Sequence, residues 1–379
     1  AGSSPAPATE SPARAGLFSL DTTVLCGNMQ QGALQRYVNL LLAVVLTVVV
    51  LHYGQRLLLV LIVPSILAFL LLPFVRMLEG RGVPRWLAST LASFSAILVV
   101  AGVIGFLGAR FMSFRDELPQ LQEKLDGRID KAQEFVADHL SISTGEQVVW
   151  IEDQVRNLGE AGGKLAVDLF SWTGAFLSDV VLIGIILILM LMYRDRFRQF
   201  LDAISEGKEV SALEIVDRIA ELTRHYLRGV GLVILILAVL NSVGFLIIGL
   251  KHAVLLGITA ALLTIIPYIG TLIGGVLPLA VAFLTKDSLA YPLAVLGVVG
   301  LAQFLEGNFI TPKVVGSSVS LNPLASIVAL VAGGMVWGIA GMVLAIPLTG
   351  MFKVVCDAVP QLNPYGYLLG EKTDRKWRS

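Results

Sequence analysis

From about Tyr37 onward the chain returns repeatedly to apolar stretches of the length that a lipid bilayer demands. A hydrocarbon core of about 30 Å is crossed by about 20 helical residues. Six stretches meet that length: about Tyr37–Tyr53, Leu57–Phe74, Leu87–Phe111, Trp172–Tyr193, Val230–Leu250 and Leu289–Phe309. Of the 379 residues, 56% are apolar and only 15% are charged. A soluble domain carries nearer ~25% charged residues, so too little polar material is present here to cover a water-facing surface. The 28 basic and 28 acidic side chains cancel, and no bulk charge invites nucleic acid. The chain therefore reads as an all-α integral membrane protein whose first partner is the lipid bilayer.

Two further apolar blocks, 253–285 and 324–356, are interrupted near their middles. The first holds Pro267, Tyr268, Ile269 and Gly270; the second holds Gly333, Gly334 and Gly338. Proline cannot continue the helical ladder, and glycine tolerates turn dihedrals. Each block then splits into limbs of about 14 residues, roughly 21 Å long and short of a crossing. This favours six full transmembrane helices plus two re-entrant hairpins over eight spans. Irregular backbone at membrane depth must be buried in protein or line a wet cavity. The blocks share an order of parts: an apolar limb, a glycine-rich break, and a proline in the returning limb, Pro278 or Pro347. A crossing helix precedes each, and if those two helices run in opposite directions the pattern is an inverted repeat.

An excess of Lys and Arg in short loops marks the cytoplasmic side. Arg76, Arg81 and Arg85, then Arg194, Arg196 and Arg198, then Lys372, Arg375, Lys376 and Arg378 share one side if there are six crossings. Both termini are then cytoplasmic. The expected divisions are a disordered tail 1–36, a scaffold of three helices in 37–112, extracytoplasmic amphipathic helices in 113–171, a fourth crossing in 172–193, a cytoplasmic or interfacial helix in 194–229, the unit with both hairpins in 230–358, and a cytoplasmic tail 359–379. In the outer segment Leu118, Leu121, Leu125 and Ile129 have helical spacing. That segment reads as a helical pair on the outer face or a contact between protomers.

The chemistry-bearing residues concentrate at the breaks. Unwound backbone in a membrane frees carbonyls and amides, and half-helix ends aim partial charges at the gap. A polar solute can be held there without a fixed cation. Tyr268 adds a hydroxyl, or serves as an interfacial tyrosine. Gly270 and Gly274, like Gly334 and Gly338, form GxxxG pairs that suit close helix packing as well as binding; Gly275 adds to the same break. Glu306 and Asn308 lie at the end of an apolar helix, with Gln303 and Glu306 on one helical face and Asn308 and Thr311 on another. A carboxylate at membrane depth is costly unless paired or wet. Glu306 is therefore either a binding and ion-coupling group or an inner-end carboxylate paired with Lys313 or a loop arginine. Asn322 is placed to cap the helix that opens the second hairpin. Cys26 and Cys356 read as free thiols. The four histidines have no metal spacing, and no nucleotide-binding or protease motif is present, so no metal, cofactor or enzymatic activity is expected.

The runs PYIGTLIGGVLP at 267–278, EGNFITPKVVGSSVSLNPL at 306–324 and GGMVWGIAGMVLAIP at 333–347 together resemble the autoinducer-2 exporter family of bacterial membrane transporters. Pro64, Phe69 and Pro73, the segment Pro84–Ala88 and the segment His225–Gly229 fit the same family. The resemblance covers about 37–358. It implies an inner-membrane protein with hydrophobic C-terminal hairpins and a homo-oligomer, a pentamer being one candidate. It also implies export of autoinducer-2, a small polyhydroxylated solute; some relatives are thought instead to exchange sodium or lithium for protons. Carried over by motif are Pro267, Gly270, Pro278, Glu306, Asn308, Pro312, Gly316, Pro323, Gly334, Gly338, Gly341 and Pro347. Val230 stands where the family often has a polar residue such as Gln, which weakens a polar role at that position.

Overall fold

The structure is a computed structural model and describes residues 2, 35, 38–115, 179–207, 210–286, 288–315 and 319–371. The tail 1–36 is almost wholly outside those residues, as are the expected outer helices of 116–171, Gly316 and the basic residues beyond 371. Among the described residues the structure is helical, with no named strand. In order they are α1 (Val38–Tyr53), α2 (Gln55–Glu79), α3 (Arg85–Arg115), α4 (Asp179–Met192), α5 (Arg194–Ser205) and α6 (Ala212–Ile248). They continue with α7 (Ala253–Leu263), α8 (Ile269–Thr285), α9 (Ala290–Leu305), α10 (Thr311–Val314), α11 (Pro323–Ala358) and α12 (Asn363–Leu369). Among the described residues, five helical segments have the length and apolar character of a membrane crossing: α2, Arg85–Val103 of α3, α6, Ala290–Val314 and α11, the last of which reverses within its length at Gly338.

The residues up to Leu58 form one unit and those from Leu59 another. In the first, the Gly54 amide donates to the Val50 carbonyl and the Leu58 amide to the Gly54 carbonyl, so helical bonding passes Gly54 without a loop. In the second, α2, α3 and α4 share a core of Val75, Ala88, Ala92, Leu187 and Leu191. Their meeting ends carry an ionic cluster. Arg194 pairs with Glu79 and Asp195, while Arg85 reaches Asp195 at 2.6 Å. This brings two of the three predicted arginine groups to one end of the bundle.

Helix α6 is the organising element of the C-terminal half. The sequence reading places an interfacial helix in 194–229 and a crossing from Val230. Instead a short helix α5 comes first, and then 37 residues run from Ala212 to Ile248 without a break. Ser211 starts α6 by accepting from the Glu214 amide, and Gly249 ends it in the left-handed conformation. Nothing at Gly229 interrupts the ladder; the missing side chain there lets the Val314 carbonyl approach. Gly229 with Val314 and Gly244 with Val298 set α9 and its continuation antiparallel to α6.

Both broken blocks are hairpins. In the first, α7 has 11 residues, about 16 Å, and α8 has 17, about 25 Å, so neither limb spans the core. Its limbs close where Gly274 meets the Ala260 backbone. The second block, α11, is two helical limbs that reverse at Gly338, where φ is 58° and ψ is −137°. Gly333 faces Gly341 and Ala345, and Gly334 faces Met342. In a straight helix residues 333 and 345 would lie about 18 Å apart. The first hairpin joins α6 where Gly257 touches Ser242, and the second where Gly350 faces Leu222. Those two points are about 30 Å apart along α6, the thickness of a hydrocarbon core.

Candidate functional site

At the first break, helix α7 stops at Leu263 and α8 begins at Ile269. The reversal centres on Tyr268, whose φ of 64° and ψ of −55° are rare for a residue with a side chain. The Ile269 amide donates to the Pro267 carbonyl at 2.7 Å, closing a γ-turn of the strained, positive-φ kind. Tyr268 is 70% exposed, so its ring is not what compels this backbone. What compels it is the closure around it: Gly270 is buried against the Leu263 carbonyl, and Gly274 packs against Ala260. Such a backbone at an exposed aromatic on a hairpin tip makes Tyr268 a candidate functional position. Tyr268→Gly is therefore expected to leave the melting temperature unchanged or raise it while reducing flux, as read by thermal unfolding beside a transport assay.

The second feature lies at the end of α9. Residues Glu306–Ile310 form a turn of π-helix, followed by α10 with Pro312 at its start. Pro312 has no amide to donate, and in an α-register its ring would crowd the Asn308 carbonyl. The wider turn shifts the register: the Thr311 amide bonds to the Glu306 carbonyl, five residues back. It also carries the Thr311 side chain over Glu306, whose Oε1 accepts from the Thr311 hydroxyl at 2.6 Å. The sequence reading, using α-helical spacing, puts Thr311 on the face of Asn308. The π turn corrects that, and it makes Thr311, rather than Lys313 or an arginine, the partner of Glu306. Asn308 is exposed, and its side-chain amide donates to the Phe304 carbonyl. Turns of this kind are frequent at functional sites. Pro312 in the position after a Glu-containing helix end was the signal that could have revealed this pair.

The second hairpin presents a different arrangement. Gly334, Gly338 and Gly341 lie at its tip, with Trp337 buried beside them. Pro278 and Pro347, the returning-limb prolines, are fully buried in their hairpins. At its base Asn322 caps α11 as expected, Oδ1 accepting from the Ala325 amide at 2.8 Å, with Pro323 the first residue of the helix. Its side-chain amide also donates to the carbonyls of Leu368 and Gly370, and its backbone amide donates to Leu369. Asn322 thus clasps the C-terminal segment to the hairpin base. Asn322→Ala removes the cap and both side-chain bonds, and is expected to cost about 1–2 kcal/mol in a denaturation measurement.

The structure brings some of the predicted residues together and leaves others apart. Val233 and Leu237 of α6 share a core with Ala261, Ala302, Ile310 and Val314. Ala261, in the limb before the Pro267–Gly270 break, and Ile310, at the end of the π turn, thus pack on the same stretch of α6. Gly275 adjoins Val299 of α9. The glycines of the second hairpin share no core with either feature, and that hairpin packs on α6 and the C-terminal helices. Two buried oxygens, Asn241 Oδ1 in α6 and Thr259 Oγ1 in α7, have no hydrogen-bond partner among the described residues. Thr259 lines a cavity of about 10 Å³, with Lys251, His252, Leu277 and Val281 among its walls; that is room for about one water. Among the described residues no cluster of His, Cys, Asp or Glu could hold a metal ion.

Spanning helices, glycine-closed hairpins at two ends of one long helix and a carboxylate in a π turn define a multi-pass helical membrane protein of the transporter class. The chain belongs to the AI-2E transporter family, whose pattern it matches over residues 41–361. YueF of Bacillus subtilis is 28% identical over 309 residues, which cover 77% of this chain and 81% of YueF. YhhT of Escherichia coli is 24% identical over 329 residues, 84% of this chain and 89% of YhhT. Both are designated transport proteins by names that state no substrate. The AI-2 transport protein TqsA of Escherichia coli is 22% identical over 318 residues, 82% of this chain and 89% of TqsA.

Proposed function

We propose that this chain is a secondary transporter of the bacterial inner membrane that exports a small polar solute, autoinducer-2 or a related signalling metabolite. The observation that carries the reading is that the limb leading to the γ-turn at Tyr268 and the π turn that starts at Glu306 pack on the same stretch of α6, through Ala261 and Ile310. Interrupted helices place backbone and side-chain polar groups beside apolar wall, which suits a hydroxyl-rich solute. The substrate class also draws on TqsA, named for AI-2 transport. Tyr268, Gly270, Glu306 and Asn308 would contact the solute from one side, with Gly334 and Gly338 completing the path from the other hairpin. The two hairpins act as inverted counterparts, moving against α6 and the α2–α4 bundle. Both termini are cytoplasmic in this reading, the arginines around Glu79 marking the inner side. A homo-oligomer belongs to it as well, and cross-linking in proteoliposomes reads the number of copies.

A second reading, exchange of sodium or lithium for protons, draws on the Glu306 carboxylate and its Thr311 partner. Flux in proteoliposomes separates the two. Release of autoinducer-2 without cation-linked pH change supports export; cation-dependent pH change without solute movement supports exchange. Silence in both assays, with folded protein, would overturn both and leave a membrane scaffold.

A further inference from the structure

The C-terminal segment 363–371 lies across the base of the second hairpin, and polar bonds rather than apolar burial hold it there. Of the seven residues of α12 only Gly366 is buried, while Tyr365 and Leu368 are 57% and 70% exposed. Gly366 lies against the Asp357 carboxylate and Gly370 against Lys353 Cε. The segment thus crosses the Lys353–Asp357 ion pair of the returning limb on two glycines, presenting no side chain at either point. Its grip is on the other limb. The Asn322 amide donates to the Leu369 carbonyl at 2.9 Å and the Glu371 amide to the Ser320 carbonyl at 3.2 Å. The Asn322 side chain donates to Leu368 and Gly370 as well.

All four bonds fall on the connection that leads from α10 into α11. Within it Ser320 is exposed and has a φ of 47°, a conformation costly for a residue with a side chain. One residue earlier Val319 is buried against Gly350 of the returning limb. The apolar anchor therefore stops at Val319, and the bonds to 363–371 alone hold the strained part that follows. A segment with few buried apolar contacts and exposed backbone bonds opens at low free energy, and opening here also releases Ser320. We propose that 363–371 is a strap that opens and recloses as the second hairpin moves. Closed, it ties the entrance of α11 to the returning limb. Open, it lets 320–322 change conformation, so that a hairpin joined to α10 can shift against α6. The place of this step in a cycle rests on the transport reading; the opening itself does not.

A reversible cross-link tests the strap. Leu321 and Gly370 form an antiparallel bridge flanked by the Asn322–Leu369 and Glu371–Ser320 bonds. They are thus a non-hydrogen-bonded pair, with Cα atoms about 4.5 Å apart, within the reach of a disulfide. Leu321→Cys with Gly370→Cys is made in a Cys26→Ser background, the native Cys356 being buried. Oxidation with copper phenanthroline lowers flux in proteoliposomes about tenfold or more, and dithiothreitol restores it. In the wild type, the Asn322 and Glu371 amides exchange hydrogen about a hundredfold or more faster than Leu237 in the core of α6. Undiminished flux at complete cross-linking overturns the proposal. So does exchange at Asn322 and Glu371 as slow as at Leu237, and that comparison decides the matter if the reduced variant is itself inactive. A wild type that moves neither solute nor ion overturns the transport reading instead, and exchange alone then tests the strap.

Discussion

Gly341→Ala is expected to abolish most solute flux and to lower the melting temperature of the purified protein by about 5 °C or more. The reason is the closure of the second hairpin. A Cβ on Gly341 would overlap the carbonyl oxygen of Gly333 and stand 2.9 Å from Trp337 Cβ. The reciprocal substitution, Gly333→Ala, places its Cβ 2.6 Å from the Gly341 oxygen. Both obstacles are backbone, so no rotamer change relieves them, and forcing the limbs apart costs about 1–3 kcal/mol or more. Gly338→Ala acts by another route, since its φ of 58° with ψ of −137° is a region essentially reserved for glycine. Gly300→Ala in α9 is the control. Nothing lies within 4 Å of its added Cβ, so stability should be unchanged. Equal melting temperatures for Gly341→Ala and Gly300→Ala would show that the limbs are not closed as described.

Glu306→Gln should reduce flux about tenfold or more while leaving the fold intact. Glutamine keeps an Oε1 acceptor for the Thr311 hydroxyl, so the pair across the π turn survives and only the charge is removed. Thr311→Val deletes the donor but keeps the carboxylate, and its effect on flux should be smaller. The order separates two roles: a carboxylate that meets solute or ion is sensitive to its charge, whereas a carboxylate that only staples the turn is sensitive to its partner. Wild-type flux in Glu306→Gln, measured in the same proteoliposomes, would remove Glu306 from the path. Equal losses in both variants would make the pair a structural staple.

Much of this architecture was legible because membranes impose simple rules. Length and hydropathy mark the spans, and Pro267 with the glycines at 333–338 marks the two breaks. Asn322 before Pro323 announced a capped helix start. Other features were not legible from local patterns. Periodicity suggested an interfacial helix ending at Gly229, because the polar part of α6 changes to an apolar part there. A helix continues through such a change whenever its ladder is unbroken, and at Gly229 the informative fact is the Val314 carbonyl of another element. In the same way, Glu306 and Thr311 looked remote because α-helical spacing was assumed, whereas Pro312 imposes a wider turn. Asn322 was read only as a cap; its grip on Leu368 and Gly370 depends on a segment about 46 residues away.

The sequence by itself determined that the chain lives in a bilayer and where its two hairpins break, because burial of apolar length and loss of backbone bonds are local costs; its motifs at 267–278, 306–324 and 333–347 carried the resemblance to its family. Only the tertiary structure decided which segments share a stretch of α6. The limb before Tyr268 and the turn after Glu306 pack on one part of that helix, and the second hairpin joins it nearer its start, at Leu222. That choice follows from close backbone approaches between distant residues, Gly257 at Ser242, Gly229 at Val314 and Gly350 at Leu222, and no local pattern encodes which glycine receives which helix.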